Sequence, residues 1–225
     1  MSPSATPAAT NDSRRPRVAF LGPLGTYSHQ ATTDFFGTDC ELAPQSRIAD
    51  VFTALSPAST SRCEFGLVPI ENSSFGPVEE TMERLRSTDL SVRGMTSLRV
   101  GHALLASKEA PWEKSRMKRV YSHEQGIGQC KRYLANSYPF IEIIQVASTA
   151  LAAQHAASDP EALAICSHKC AEVYDLDVVD TDIQDAGAAN TTRFIALSPS
   201  HVPLPPCYPV NRKKILDFQK EESEQ

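Results

Sequence analysis

Thr192 and Arg193 stand side by side where the polar pair Asn190-Thr191 gives way to the apolar run 194–197. A hydroxyl and a guanidinium at such a turn-to-strand junction would hold one proton donor and one anion ligand rigidly at the edge of a sheet. Three other polar sets fall where apolar runs end. Gly22-Pro23-Leu24-Gly25-Thr26-Tyr27-Ser28 is a glycine-bearing turn into a helix start, where backbone N–H groups can receive an anion and hydroxyls add donors. Glu71-Asn72-Ser73-Ser74 directly follows an apolar strand, the position from which side chains of an open α/β sheet reach a ligand crevice. Ser122-His123 also follows a strand, with Gln129 farther along the next helix.

Each set has a structural reading beside the chemical one. Thr26 can cap its helix, Asn72 or Ser73 can do the same after residue 70, Ser122 can be a cap, and His123 can be structural or pH-responsive. The glycine turn lacks the Gly-Lys-Ser/Thr of a phosphate-binding loop and the spacing of a dinucleotide fingerprint. A Ser-His-Asp order or nucleophile elbow, which a hydrolase would need, is not found. Cys166, His168 and Cys170 lack a second ligand pair of defined spacing, so they read as buried thiols and no metal is expected.

The elements that must position these groups alternate between β and α. Strands are predicted at 17–21, 65–70, 119–121, 141–146, 163–166 and 194–197, with a short one at 178–179. Helices are predicted at 26–36, 46–55, 78–85, 125–135, 149–157 and 168–174. The near-continuous apolar run at 65–70 suits a parallel strand covered on both faces. One long β-like stretch, 92–106, breaks the alternation. The pattern predicts an α/β fold on largely parallel sheets. The chain is expected to cross into a second lobe within the β segment near 95–105 and to return near residues 181–184. Residues 17–94 plus 185–202 then form lobe 1 and residues 95–184 lobe 2, with a ligand cleft between them.

Bulk properties narrow the function classes. The chain has 225 residues, 41% hydrophobic and 22% charged, with net charge −5. That suits a globular protein and disfavours nucleic acid as partner, since phosphate binding needs a basic face. No apolar run approaches the roughly 20 residues of a membrane span. The six cysteines lack framework spacing and suit a reducing, cytoplasmic setting. Residues 1–16, rich in Ser, Pro, Ala and Thr, read as a disordered tail, with Arg14 and Arg15 the only bases a transit peptide could use. Residues 203–225 read as an irregular charged tail.

Taken in order, the polar sets resemble the prephenate dehydratase family. The resemblance is carried by Gly22-Pro23-Leu24-Gly25-Thr26-Tyr27-Ser28, Pro69-Ile70-Glu71-Asn72-Ser73-Ser74-Phe75-Gly76-Pro77-Val78, Ser122-His123-Glu124-Gln125 with Gln129-Cys130, Ser148-Thr149-Ala150, and Thr192-Arg193-Phe194. It spans residues 17–198. It implies two lobes resembling the type 2 periplasmic-binding-protein fold, with the active site in the interlobe cleft. It also implies conversion of prephenate to phenylpyruvate in L-phenylalanine biosynthesis, without a cofactor.

By the same resemblance Thr192 is the catalytic residue. Asn72, Ser122 and Gln129 orient the substrate, the Gly25 and Thr26 amides receive a carboxylate, and Arg193 either binds carboxylate or braces the strand. Gly126 and Gly128 depart from the Ala or bulky apolar residues usual in that helix, and Leu151 stands where a carboxylate is common. The ACT regulatory domain usual in the family is not expected in the 28 residues after Leu197. A homodimer is carried as an expectation, because family members commonly dimerise. An arogenate dehydratase, a non-catalytic two-lobed binding module and a truncated gene product are the alternatives.

Overall fold

The computed structural model describes residues 15–203 except 61, 110 and 186–189. The first sheet is built from β1 (Arg17–Leu21), β2 (Glu41–Gln45), β3 (Phe65–Asn72), the two-residue β4 (Gly76–Pro77), β5 (Leu90–Arg99) and β11 (Thr191–Pro199). Its order is β2-β1-β3-β11-β5, with β4 paired to β3. β2, β1 and β3 run parallel, whereas β11 lies antiparallel to both β3 and β5. The second sheet has the order β10-β6-β9-β7-β8, from β6 (His102–Ser107), β7 (Arg119–Ser122), β8 (Glu142–Gln145), β9 (Ala162–Ser167) and β10 (Leu176–Asp180).

Period-2 alternation divides each sheet's side chains between two faces. Val18, Leu67 and Phe194 pack with Phe35 and Phe36 of α1 (Tyr27–Phe36). Their sequence neighbours Ala19, Val68 and Ile195 pack on the other face with Val51 and Phe52 of α2 (Ile48–Ala54). Below β3 lies α3 (Glu79–Arg86). In the second lobe, Ala150, Ala152, Ala153 and Ala156 of α6 (Thr149–Ala157) are all fully buried beside Ala164 and Cys166 of β9. Small side chains let that helix lie close to the sheet. Leu163 and Ile165 face the opposite way, toward Leu134 of α5 (Lys131–Ser137). α4 (Glu124–Gln129) precedes α5, and α7 (Lys169–Tyr174) follows β9.

Three sequence expectations are corrected here. The stretch 92–106 is two strands in different sheets, so the chain leaves the first lobe at Val100-Gly101, within the expected segment but after the 94/95 lobe boundary. Residues 95–99 belong to lobe 1, because Met95 through Arg99 pair with β11. The helix expected at 125–135 is broken at Cys130 into α4 and α5. β2 was not anticipated: Pro44 lies within it, which an edge strand tolerates. The tails expected at 1–16 and 203–225 fall almost wholly outside the described residues.

The return passes through Ile183, whose N–H donates to His102 O at 3.1 Å, and Asp185, whose N–H donates to Gln129 O at 2.6 Å. It then reaches Asn190 at the head of β11. The result is the doubly crossed, two-lobed arrangement of the type 2 periplasmic-binding-protein fold, with a cleft between the sheets. Among the described residues no helix is long and apolar enough to cross a membrane.

Candidate active site

A cavity of about 490 Å³ occupies the cleft, and both lobes line it. The first lobe contributes Thr26, Tyr27 and Ser28 from the start of α1, Asn72 from the end of β3, Phe75 from the turn beyond, and Asn190 and Thr192 from β11 and its approach. The second contributes His102, His123, Gln125, Gly126 and Gln129, with Ser148 and Thr149 at the start of α6. Among these described residues there is no Asp, Glu, Lys or Arg side chain. An anionic ligand in this cavity is received by neutral donors and by helix N-termini.

Strand pairing sets the centre of the site. Thr192 and Asn72 are direct cross-strand partners, and Asn72 Nδ2 donates to Thr192 Oγ1 at 2.8 Å and to Asn190 Oδ1 at 2.9 Å. The Asn72 oxygen accepts from the Ser74 and Phe75 amides at 2.9 and 3.2 Å, which fixes the turn after β3. Asn190 Nδ2 donates to Gln129 Oε1 at 3.3 Å across the cleft. Gln129 Oε1 lies 2.7 Å from His102 Nε2, and His102 Nδ1 lies 2.8 Å from the Tyr27 hydroxyl. Burial lowers the His102 pKa, against the opposing pull of the Gln129 hydrogen bond, and keeps the ring neutral. Burial also raises the Tyr27 pKa well above its ordinary value, so the phenol stays protonated.

The two long helices that open on the cavity have orphan amides there. Thr26 caps α1: its Oγ1 accepts from His29 N at 3.2 Å and lies 2.9 Å from the Pro23 carbonyl, to which it donates. Ser148 caps α6 and accepts from Leu151 N at 3.0 Å. His123 caps the shorter α4, its Nδ1 accepting from Gln125 N at 3.3 Å. Phe75 stands at the mouth, 58% exposed, as an apolar side chain with only part of its surface covered.

The structure brings Asn72, Gln129, Thr192 and Thr26 of the expected site residues together. It does not do so for Ser122, Arg193 or Gly25. Ser122 is fully buried and donates to Ile165 O at 2.7 Å, behind α4 and out of the cavity. Its Oγ lies where a Cβ on Gly126 would come within 2.5 Å, so Gly126 is the residue that makes room for this serine. Arg193 follows Thr192 on a strand and so faces the other way. It pairs with Glu71, its register partner, at 3.1 Å.

Gly25 is also spent elsewhere. Its N–H donates to His29 Nδ1 at 3.0 Å, and its carbonyl accepts from Ser167 Oγ at 2.6 Å and Cys170 Sγ at 3.1 Å in the second lobe. It is a point of contact between lobes, and the residues of this turn and helix start that line the cavity are Thr26, Tyr27 and Ser28. His102 and Tyr27 were not singled out as site residues from sequence. Asn190 was seen only as part of the polar stretch before Thr192. His102 gives no local signal, being one histidine at the head of an apolar strand.

Comparison with known proteins gives a consistent picture. The family model for prephenate dehydratase matches residues 18–201. The bifunctional chorismate mutase/prephenate dehydratase of Aquifex aeolicus (strain VF5) is 34% identical over 182 residues, covering 81% of this chain and 48% of that protein. The chain thus spans about half the length of the curated relatives it matches. Among solved structures, the prephenate dehydratase of Arthrobacter aurescens in complex with L-Phe aligns with a TM-score of 0.71 at 26% identity, over 84% of this chain and 61% of that one. GqqA, described as a novel type of quorum quenching acylase, aligns with the same TM-score of 0.71 and 26% identity, over 84% of this chain and 66% of its own.

Proposed function

We propose that this chain, which belongs to the prephenate dehydratase family, is a carbon–oxygen lyase that converts prephenate to phenylpyruvate in L-phenylalanine biosynthesis. The observation that carries this reading is the state of Thr192. Its oxygen accepts the Asn72 amide at 2.8 Å, which leaves the hydroxyl hydrogen free to donate to a ligand in the cavity.

Prephenate bears two carboxylates and a ring hydroxyl. The ring carboxylate departs as CO₂, the electron pair of the breaking C–C bond moves into the ring, and the ring C–O bond breaks at the far side. The departing hydroxide takes up one proton and leaves as water, giving phenylpyruvate. The ring becomes aromatic, so no electron sink is needed. Thr192 is assigned as hydrogen-bond donor to the departing hydroxyl, an interaction that strengthens as negative charge grows on that oxygen. Such a donor is worth about 10²–10⁴ in rate.

The described residues lining this cavity bring no Asp, Glu, Lys or Arg to the dianionic substrate, so its carboxylates are assigned to the open amides at the starts of α1 and α6, with the Gln129 carboxamide as a further donor. A cavity whose described lining carries no Lys or Arg suits a reaction in which one carboxylate must lose its charge to become CO₂, because a tight ion pair would hold that carboxylate in its ground state. The apolar lining from Leu21, Val78, Val100 and Phe75 accommodates the ring.

We place this activity in the cytoplasm, in keeping with the free buried thiols of Cys40, Cys63, Cys130, Cys166 and Cys170, and carry a homodimer as the assembly, to be checked by light scattering. Ultraviolet detection of phenylpyruvate from purified protein and prephenate tests the reaction. Side-by-side kinetics with arogenate tests the substrate. Absence of product from both, with folded protein, would refute the assignment.

A further inference from the structure

The chain of side chains that ends at Thr192 begins at Tyr27 and His102, and the direction of every hydrogen bond in it follows from one end. A backbone N–H can only donate, so the atom of Asn72 facing the Ser74 and Phe75 amides is its oxygen. The two hydrogens of its NH₂ therefore go to Asn190 Oδ1 and Thr192 Oγ1. With that oxygen used, Asn190 presents its Nδ2 to Gln129, and the atom it meets at 3.3 Å is Gln129 Oε1. The same Oε1 lies 2.7 Å from His102 Nε2, which must then carry a hydrogen. In a neutral ring Nδ1 is left as an acceptor, and the single Tyr27 hydroxyl hydrogen is shared between Nδ1 at 2.8 Å and the Gly101 carbonyl at 3.0 Å.

The consequence falls on Gln129. Its oxygen is committed to His102 and Asn190. Its NH₂ has no protein partner among the described residues, and the residue lines the cavity. A flipped carboxamide would set N–H against N–H at both neighbours and turn an acceptor toward an anionic ligand. We propose that His102 and Tyr27 are positioning residues: His102, in the Nε2–H form that the Asn72–Asn190–Gln129 chain requires and with Tyr27 packed against its Nδ1, keeps the Gln129 NH₂ turned into the cavity as a donor to the substrate. The catalytic part of this proposal rests on the prephenate reading; the tautomer and the direction of the amide do not.

The test uses the full chain and His102→Phe, His102→Gln, Tyr27→Phe and Gln129→Ala variants. Losing one oriented donor is expected to cut kcat/KM for prephenate about tenfold in H102F. The loss should appear chiefly in KM, since a donor to a carboxylate that persists through the reaction binds ground and transition states alike. H102Q, whose side-chain N–H can stand where the imidazole Nε2–H stood, is expected to recover most of that loss. In a Q129A background H102F should cost no more than about twofold, because the two residues act through one contact. Equal losses with and without Gln129, or an H102Q enzyme as impaired as H102F, would overturn the proposal.

Nitrogen-15 NMR of histidine-labelled, ligand-free protein reads the tautomer without any reaction. A pyrrole-type Nε2 with a pyridine-type Nδ1 is expected for His102, and the reverse would overturn the assignment. Should H102F not fold, Y27F removes a single oxygen and leaves Nδ1 without its partner; it is expected to raise KM for prephenate with the Nε2–H tautomer retained, and a wild-type KM there counts against Tyr27. A wild-type protein that forms no phenylpyruvate but shows the Nε2–H ring refutes the reaction and keeps the positioning chain.

Discussion

Asn72 Nδ2 donates to Thr192 Oγ1 across 2.8 Å, between direct cross-strand partners of β3 and β11. The bond does two things at once. It holds the threonine side chain in one rotamer, and it fills one oxygen lone pair while leaving the hydroxyl hydrogen free to donate outward. Thr192→Ala is therefore expected to lower kcat about 10²–10⁴-fold with little change in the denaturation midpoint, and Thr192→Ser to retain substantially more activity. Near-normal turnover of T192A in the phenylpyruvate assay would remove Thr192 from the mechanism.

Ser122 is expected to behave as a structural residue. Its hydroxyl donates to Ile165 O in a fully buried site, so Ser122→Ala leaves a carbonyl without its partner and should cost about 1–3 kcal/mol of stability. At temperatures where the variant is folded, KM for prephenate should stay within about twofold of wild type. A large rise in KM with unchanged stability would return Ser122 to the substrate site. Gly126→Ala should share the stability loss, because its new Cβ would meet Ser122 Oγ at 2.5 Å.

Much of this was legible in the chain. β1 and α6 coincide with the predicted spans, since an apolar run closed by Gly22-Pro23 and a Ser-capped alanine helix are local signals. Thr192 and Asn72 were legible because polar residues at the end of a strand have few other places to point, whereas Gln129 lay inside the predicted helix 125–135 and was named through the family resemblance. What failed depends on direction and on distant partners. Arg193 was grouped with Thr192, although adjacent residues of a strand face opposite ways; period-2 alternation alone would have separated them. The crossing at Val100-Gly101 is invisible locally because β5 and β6 carry one continuous β-like pattern, and only their pairing with different strands parts them. His102 joins the site solely because that crossing delivers the head of β6 to the cleft.

Gly25 is expected to be a point of lobe contact that tolerates no side chain. Its φ of 87° lies in the left-handed region, and an added Cβ would come within 2.9 Å of Cys170 Sγ and 3.0 Å of the Tyr174 ring. Gly25→Ala should lose about 1–3 kcal/mol in urea unfolding and reduce kcat, since the turn that carries Thr26 and Tyr27 would be displaced from the second lobe. Unchanged stability in G25A would show that the turn is free of the constraint drawn here.

Stability should fall on both sides of neutrality, each side for a different set of buried groups. Burial lowers the pKa of His29, helped by Lys169, and of His102 from the ordinary 6.5. The unfolded chain thus takes up protons before the native one does. This contribution is fully present above pH 6.5 and is lost as pH falls toward and through the folded values. Burial pushes the Cys130 thiol up from 9.0 to about 12 and the Tyr27 phenol well above 10.0. Here the unfolded chain releases protons first, so the stabilisation is whole below pH 9.0 and declines as pH rises beyond it. Urea midpoints measured from pH 5 to 10 should peak between about 7 and 8.5. Replacing Cys130 by Ala should flatten the alkaline limb without moving the acid one. A midpoint that climbs steadily from pH 7.5 to 5 would mean that His29 and His102 are protonated in the native state. The ring could then no longer hold Nδ1 open for Tyr27.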